Sequence, residues 1–261
     1  MRQPGLLSDL ADLIKSRDLW VYLACQDIRL RYRRSKIGPF WITISMAVFC
    51  VALGLIYSQL FKAEIQEYLP FLAVGFVFWA WISGMLGEFS NLFVDNAAYI
   101  KDIRINPLSV MCRMAMRHLI ILAHHALIIL AVWVYFGINP GFVGLWVVPG
   151  LLLVLLNLMT FGVALSIFGA RFRDVAPIMQ SLIQLIFFIT PLTWLPRLLA
   201  SHEWIVWANP VASYIDLLRS PLLGQSPSAT SWLISLATLL IFSMTSIFIY
   251  IRKAARIPFW V

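Results

Sequence analysis

Glu88 is the one Asp or Glu in the apolar stretch from Tyr68 to about Phe93, and His118, His124 and His125 lie along a later one. An ionisable group inside such a run is a functional candidate by default, because charge is costly to keep there. Two chemistries come into view: proton or cation transfer, and metal binding. Metal binding fits poorly, since adjacent His124 and His125 would point in different directions on a helix, whereas i, i+4 residues share a face. Packing or an interhelical hydrogen bond is the competing reading for each histidine. Glu88 lies near one end of its stretch, where a structural ion pair with Arg or Lys competes with a functional role. A carrier driven by protons or sodium needs ionisable groups near a membrane midplane, and the sequence offers none there.

Asp95, Asp102 and Asp174 are the raw material for a membrane-surface enzyme, for example a transferase acting on lipid-linked sugars. They stand in connections that also carry Lys101, Arg104, Arg171 and Arg173, a pattern that equally describes a solvated loop. No phosphate-binding G-x-x-x-x-G-K-[ST], H-E-x-x-H, G-x-S-x-G or C-x-x-C occurs. If ATP drives this protein, another chain must bind the ATP and magnesium; no cofactor or metal is expected here. Cys25, Cys50 and Cys112 are odd in number and far apart, so they read as small apolar fillers.

The elements that must position these residues follow from composition. The 261 residues are 61% hydrophobic and 12% charged, about half the ~25% charge of soluble domains. One aqueous core of this size cannot hide so much apolar surface. A spanning helix needs about 20 mostly apolar residues, and six stretches qualify. They are Pro39–Phe61, Tyr68 to about Phe93, His118–Phe136, Leu145–Phe168, Val175 to about Trp194, and Trp232–Ile251. Ile138-Asn139-Pro140-Gly141 supplies the turn that divides the third from the fourth. Pro39, Pro70, Pro149 and Pro177 fall near expected helix starts, where the missing N–H costs nothing.

Seventeen of the twenty Lys and Arg residues lie in 1–38, 94–118, 169–177 and 252–261. Lys62, Arg197 and Arg219 are the remaining three, in 62–67 and 195–231. Basic residues mark cytoplasmic connections, so both termini are expected inside. The same clustering suits an inner leaflet better than nucleic acid, despite the net charge of +8. Charges recur through the first 36 residues, so no cleavable signal peptide is expected. Residues 1–38 read as an interfacial segment: Leu6, Leu10, Leu13 and Ile14 make one apolar stripe, Leu19, Trp20, Leu23 and Ile28 another. Ser16 is a candidate N-cap between them, and Arg29, Arg31, Arg33 and Arg34 suit anionic headgroups. The rest, 39–261, reads as a six-helix transmembrane domain. Its 195–231 connection is Trp- and Pro-rich and predicts two short helices, parted at Asn209-Pro210, that dip into the outer face as a gate.

Asn157, Thr160, Gln180 and Gln184 put uncharged polar groups on the fourth and fifth spans, as interhelical glue or as the wall of a polar path. Gly162, Ser166 and Ala170 form a small-residue row suited to close helix contact. Phe76, Phe78, Trp79 and Trp81 crowd the second span. They read either as core and interfacial aromatics or as stacking surfaces for sugar rings in a channel, with Trp204, Trp207 and Asn209 as gate candidates.

Four stretches carry a resemblance. The basic run Asp27-Ile28-Arg29-Leu30-Arg31-Tyr32-Arg33-Arg34-Ser35-Lys36-Ile37-Gly38-Pro39-Phe40-Trp41 resembles the entry to helix one in polysaccharide-export ABC transporter permeases. These are the type-2 permeases for O-antigen, capsule and teichoic acid. Asn96-Ala97-Ala98-Tyr99-Ile100-Lys101 with Pro107, and Arg171-Phe172-Arg173-Asp174-Val175, are similar to that family's cytoplasmic loops; Asn209-Pro210 with Arg219-Ser220-Pro221-Leu222 is similar to its outer gate. The resemblance implies a homodimer in the bacterial inner membrane, two separate ATPase subunits and a lipid-linked polysaccharide as cargo. A type-2 permease for another lipid or drug is the alternative within the class. Force from an ATPase must then enter through cytoplasmic connections. Asn96–Ile105 can form a short helix with Tyr99 and Ile103 on one face and Lys101, Asp102 and Arg104 as charges for a partner groove. Arg171, Arg173 and Asp174 make a second candidate contact.

Overall fold

The computed structural model describes residues 5–33, 36–38, 40–103, 105–196 and 204–261, with side chains except at Leu6, Leu7, Ile205 and Trp207. Pro39, Arg34, Arg104, Arg197 and the Trp207 side chain therefore lie outside the described residues. In an apolar solvent each backbone N–H and C=O must be satisfied within its own segment or closed sheet. Every regular element among the described residues is helical.

Two helices, α1 (Leu6–Lys15) and α2 (Arg17–Arg31), precede α3 (Phe40–Leu60) and α4 (Ile65–Phe89). The short α5 (Leu92–Asp95) and α6 (Ala97–Lys101) lead into α7 (Pro107–Phe136). A 3-10 turn at Gly141–Trp146 opens α8 (Val147–Arg171), followed by α9 (Val175–Ile189), α10 (Trp204–Trp207) and α11 (Pro210–Leu222). The chain closes with α12 (Ala229–Lys253), another 3-10 turn and α13 (Ile257–Trp260). Among the described residues, five helical runs are long and apolar enough to cross a membrane; they contain α3, α4, α7, α8 and α12. At 15 residues α9 is apolar but shorter, about 22 Å against a hydrocarbon core of about 30 Å.

The fifth expected span reached Trp194, and its early end has a local cause. Pro191 disfavours helical geometry at the residue before it, and Thr190 has an extended ψ of 133°. Pro70 also departs from its expected place. Since α4 begins at Ile65, Pro70 lies in its second turn and has no N–H to give the Gln66 carbonyl. The third span starts earlier than expected, because Pro107 occupies N1 and the Asn106 side chain accepts from Leu108 N at 2.9 Å. Gly137, in the left-handed region at φ 65°, ends α7 just before the expected turn.

The second span is the central post. Tyr68, Leu72, Val74, Val77, Ile82, Met85 and Phe89 of α4 are fully buried, as suits a helix apolar on all sides. At its far end the small-residue row of α8 receives it. A Cβ at Gly162 would collide with the Phe89 ring, and one at Gly169 with the Ser90 carbonyl. Ser166 donates to the Phe89 carbonyl at 2.9 Å. The α1–α2 segment lies against the bundle. Ala24 and Ile28 are buried where α2 packs on α7. Asn106 donates to the Asp9 carbonyl and the Tyr250 hydroxyl to the Asp9 carboxylate, both at 2.9 Å. Ser16 stands at the head of α2 but forms no cap bond there; its hydroxyl contacts Leu13 O and Ser109 Oγ instead.

Candidate functional site

Four charges and a histidine meet where α2, α4 and α7 converge. Arg113 and Arg117 are one turn apart on α7 and share Asp27 of α2. Arg113 donates from Nε at 2.9 Å and Nη2 at 2.5 Å, Arg117 from Nη1 at 3.1 Å. The other terminal nitrogen of Arg117 reaches Glu88, whose second oxygen lies 2.9 Å from His118 Nε2. Two carboxylates thus balance two guanidinium groups, so the partly buried charges stay paired. Glu88 is a structural ion-pair partner here, not an isolated proton carrier. His124 and His125 stay apart from it. His124 bonds the Ile120 carbonyl of its own helix, and buried His125 has no partner at Nε2 among the described residues.

Beside this knot runs the connection expected to meet an ATPase. Tyr99 turns inward, its ring under the Arg113 guanidinium at 4.6 Å, and Ile100 is the buried anchor of α6. That helix ends at Lys101, so Ile103 falls beyond it and does not share a helical face with Tyr99. Ile103 is 63% exposed, beside exposed Lys101 and Asp102; Arg104 lies outside the described residues. Exposed Arg171, Arg173 and Asp174 stand at the turn into α9. The Arg171 guanidinium lies 5.2 Å from the Trp260 ring, and α13 packs against both α6 and α8. Sequence reasoning missed this C-terminal contribution; the signal was the apolar Ile257-Pro-Phe-Trp run after the last basic residues. Arg29, Arg31 and Arg33 are exposed along the end of α2, as headgroup contacts require, while Arg34 lies outside the described residues.

In the middle of the bundle the polar residues of α8 and α9 separate into two kinds. Asn157 is buried and saturated: it donates to Leu153 O and Ser235 O at 3.0 Å and accepts from Tyr214 at 3.0 Å and Thr238 at 2.9 Å. That is interhelical glue. Gln180 and Gln184 are exposed on one face of α9, and among the described residues neither forms a hydrogen bond. Ile178, Leu182, Leu185 and Phe188 of the same helix are exposed as well. The aromatic channel candidates are enclosed. Phe76, Trp79 and Trp81 are 5%, 8% and 2% exposed, and Phe187 packs edge-on against Phe76 and at a tilt against Trp79. Their rings pack within the subunit and present no free face.

At the opposite end, α10 and α11 are parted at Asn209-Pro210, with Pro210 at N1 and the Asn209 side chain accepting from Val211 N at 3.0 Å. Asn209 also donates to Thr190 Oγ1 at 2.7 Å. Arg219 donates to the Pro191 carbonyl at 2.7 Å, and Tyr68 to the Thr193 carbonyl. The chain leaving α9 is thus held by α4 and α11 together. Trp204 is 67% exposed. Arg219, 5% exposed, has its guanidinium 3.7 Å over the Phe71 ring, close against Gly75. Its burial was not foreseen, although a lone Arg after Ile215, Leu217 and Leu218 was the sequence sign. Asp216 accepts from Ser220 Oγ at 2.5 Å, Ser228 N at 3.1 Å and Ser231 Oγ at 2.6 Å, tying α11 to the start of α12.

The chain's relatives carry a consistent name. Two Klebsiella pneumoniae proteins, each called O-antigen export system permease protein RfbA, are 28% identical over 203 residues, 76% of this chain and 77% of theirs. A Myxococcus xanthus protein of the same name is 24% identical over 187 residues, 70% of each chain. The family model for ABC-2 type transporters matches residues 18–223, from the head of α2 to the end of α11. A helical bundle with five membrane-length helices, matched across that span, is a multi-pass membrane protein and belongs to the ABC-2 type transporter family.

Proposed function

We propose that this chain is the membrane subunit of an exporter that moves a lipid-linked polysaccharide of the O-antigen type across the bacterial inner membrane. In this reading it works as a homodimer, and ATP is hydrolysed by two copies of a separate cytoplasmic subunit. The relatives named for O-antigen export support the choice of cargo. The geometric observation that carries a transport role is the bare amide face of α9. Unbonded amides facing hydrocarbon are unfavourable, so Gln180 and Gln184 make sense against a polar path or a second copy. The remaining parts fit around that. Residues 1–38 form the cytoplasmic interfacial segment, and 39–261 the permease domain. There α9, extended by its flanking residues, makes the sixth crossing, both termini lie inside, and 195–231 gates the outer side.

Deleting the gene and scoring surface polysaccharide tests the proposal. Loss of surface glycan with accumulation of its lipid-linked form inside the cell, restored by the wild-type gene, is expected. Normal surface glycan with altered export of a lipid or drug would favour the other branch of the family.

A further inference from the structure

The last turns of α8 and α12 and the closing α13 enclose a narrow cavity of about 90 Å³. Phe168, Phe248 and Trp260 are among its walls, and Arg171, Arg252 and Lys253 form its rim. Among the described residues, no carboxylate, amide or hydroxyl side chain lines it. Both arginines stand against aromatic rings. The Arg252 guanidinium lies 4.1 Å over Phe248, and that of Arg171 lies 5.2 Å from Trp260 and from Phe172. Stacking uses the flat face of a guanidinium and leaves its N–H edge for an oxyanion such as phosphate. Among the described residues none of the three cations has an ion-pair partner. Phe168 and Phe248 are 46% and 55% exposed, so the apolar wall opens sideways, at the depth where the helices meet lipid.

Ligand classes separate by what each would leave unused. A free anion would satisfy the rim and gain nothing from the walls. An uncharged apolar molecule would do the reverse. The volume falls short of the about 300–1,000 Å³ that encloses a whole small molecule, so the cavity suits a segment of a longer chain. A glycan-bearing lipid would bring hydroxyls to walls that offer them no polar side chain. An amphiphile with a compact, negatively charged headgroup meets both parts.

We infer that this is a binding site for an anionic glycerophospholipid, with its phosphate on Arg171, Arg252 and Lys253 and an acyl segment along Phe168 and Phe248. Both helix ends lie on the side expected to face the cytoplasm, where anionic lipids give the leaflet its negative potential. The inference uses the proposed function for that orientation alone and is independent of the cargo. Since Arg171 also meets Trp260, the lipid would tie α13 to the bundle, and α13 packs against α6. Bilayer composition would then reach the connection proposed to meet the ATPase.

Native mass spectrometry of the full chain, titrated with dioleoyl phosphatidylglycerol or dioleoyl phosphatidylcholine, tests this. One phosphatidylglycerol should stay bound under activation that strips phosphatidylcholine. Each Lys or Arg at an anionic surface is worth about fivefold in binding, so Arg252→Gln/Lys253→Gln should weaken phosphatidylglycerol about 25-fold. Arg173→Gln/Arg256→Gln removes the same charge from exposed positions outside the pocket and should leave that retention unchanged. Equal retention of the two lipids overturns the site, because the rim then selects no anion. Equal losses in the two double variants overturn it as well, leaving general surface charge only. Displacement by inorganic phosphate would replace the lipid with a simple anion. Loss of ATPase co-purification in Arg252→Gln/Lys253→Gln, with lipid retention intact, would give the rim to the ATPase. Surface glycan after gene deletion tests the export reading separately, since none of these lipid measurements involves the cargo.

Discussion

Asp27 holds two guanidinium groups, and this makes it the residue through which α2 is fixed to α7. Replacing it by Asn keeps the shape but leaves Arg113 without a carboxylate partner and Arg117 with Glu88 alone. Removing one partner from a partly buried charged hydrogen bond costs about 1–3 kcal/mol. Asp27→Asn should lower the thermal unfolding midpoint of the detergent-solubilised protein and open α2 to protease; an unchanged midpoint and digestion pattern would mean the pairing is not maintained in solution. Arg219 shows what residue types alone conceal. It counted as an outward-side basic residue on the sequence, yet the apolar run before it turns the helix inward and takes the guanidinium with it. Glu88 was legible as either ion pair or functional carboxylate, and only the convergence of Arg117 and His118 decides between them.

At the scale of elements, the contact of α4 with α8 depends on missing side chains. Gly169→Val would drive a branched side chain into the Ser90 carbonyl, a backbone atom that cannot swing away. Overpacking of this kind costs about 1–3 kcal/mol or more, so the variant should give little folded protein by fluorescence-detected gel filtration, whereas Ser166→Ala should be tolerated. A normal elution profile for Gly169→Val would show that the helices can separate there. The Gln180–Gln184 face makes the complementary prediction: Gln180→Leu/Gln184→Leu should leave folding and membrane level unchanged but reduce surface glycan. Undiminished export would remove α9 from the polar path. Helix positions were legible because lengths of uncharged sequence and small-residue spacing report directly on lipid and on close packing. Helix ends were less so. The early stop of α9 and the early start of α7 depend on Thr190-Pro191 and Asn106-Pro107, where turn chemistry overrides hydrophobicity. The aromatic crowd on α4 could not be divided into core and channel by composition, since both need the same side chains.

At the scale of the whole molecule, the proposed ATPase contact would fall on the exposed Lys101–Ile103 tip and the Arg171–Asp174 turn, since α13 packs against both α6 and α8. Ile103 and Phe172 are exposed apolar side chains there, and truncating such an anchor costs about 1–2 kcal/mol of binding. Ile103→Ala should weaken co-purification of the ATPase subunit and reduce its stimulated hydrolysis while the membrane protein itself remains folded. Tyr99→Ala should instead destabilise the membrane subunit, because its ring packs on Arg113. Full ATPase binding with Ile103→Ala would shift the contact to Arg171, Arg173 and Asp174. The shortness of α9 bears on the whole assembly in a further way. Fifteen residues do not match the ~30 Å hydrocarbon slab, and lipid beside such a helix must thin or the helix must draw polar flanks inward, at fractions of a kcal/mol per Å. Acyl-chain length then becomes a control on the protein: reconstituted with its ATPase in bilayers of graded thickness, it should turn over fastest in lipids thinner than those that suit the 25-residue α4 and α8. A rate indifferent to thickness would show that neighbouring protein shields α9 from lipid.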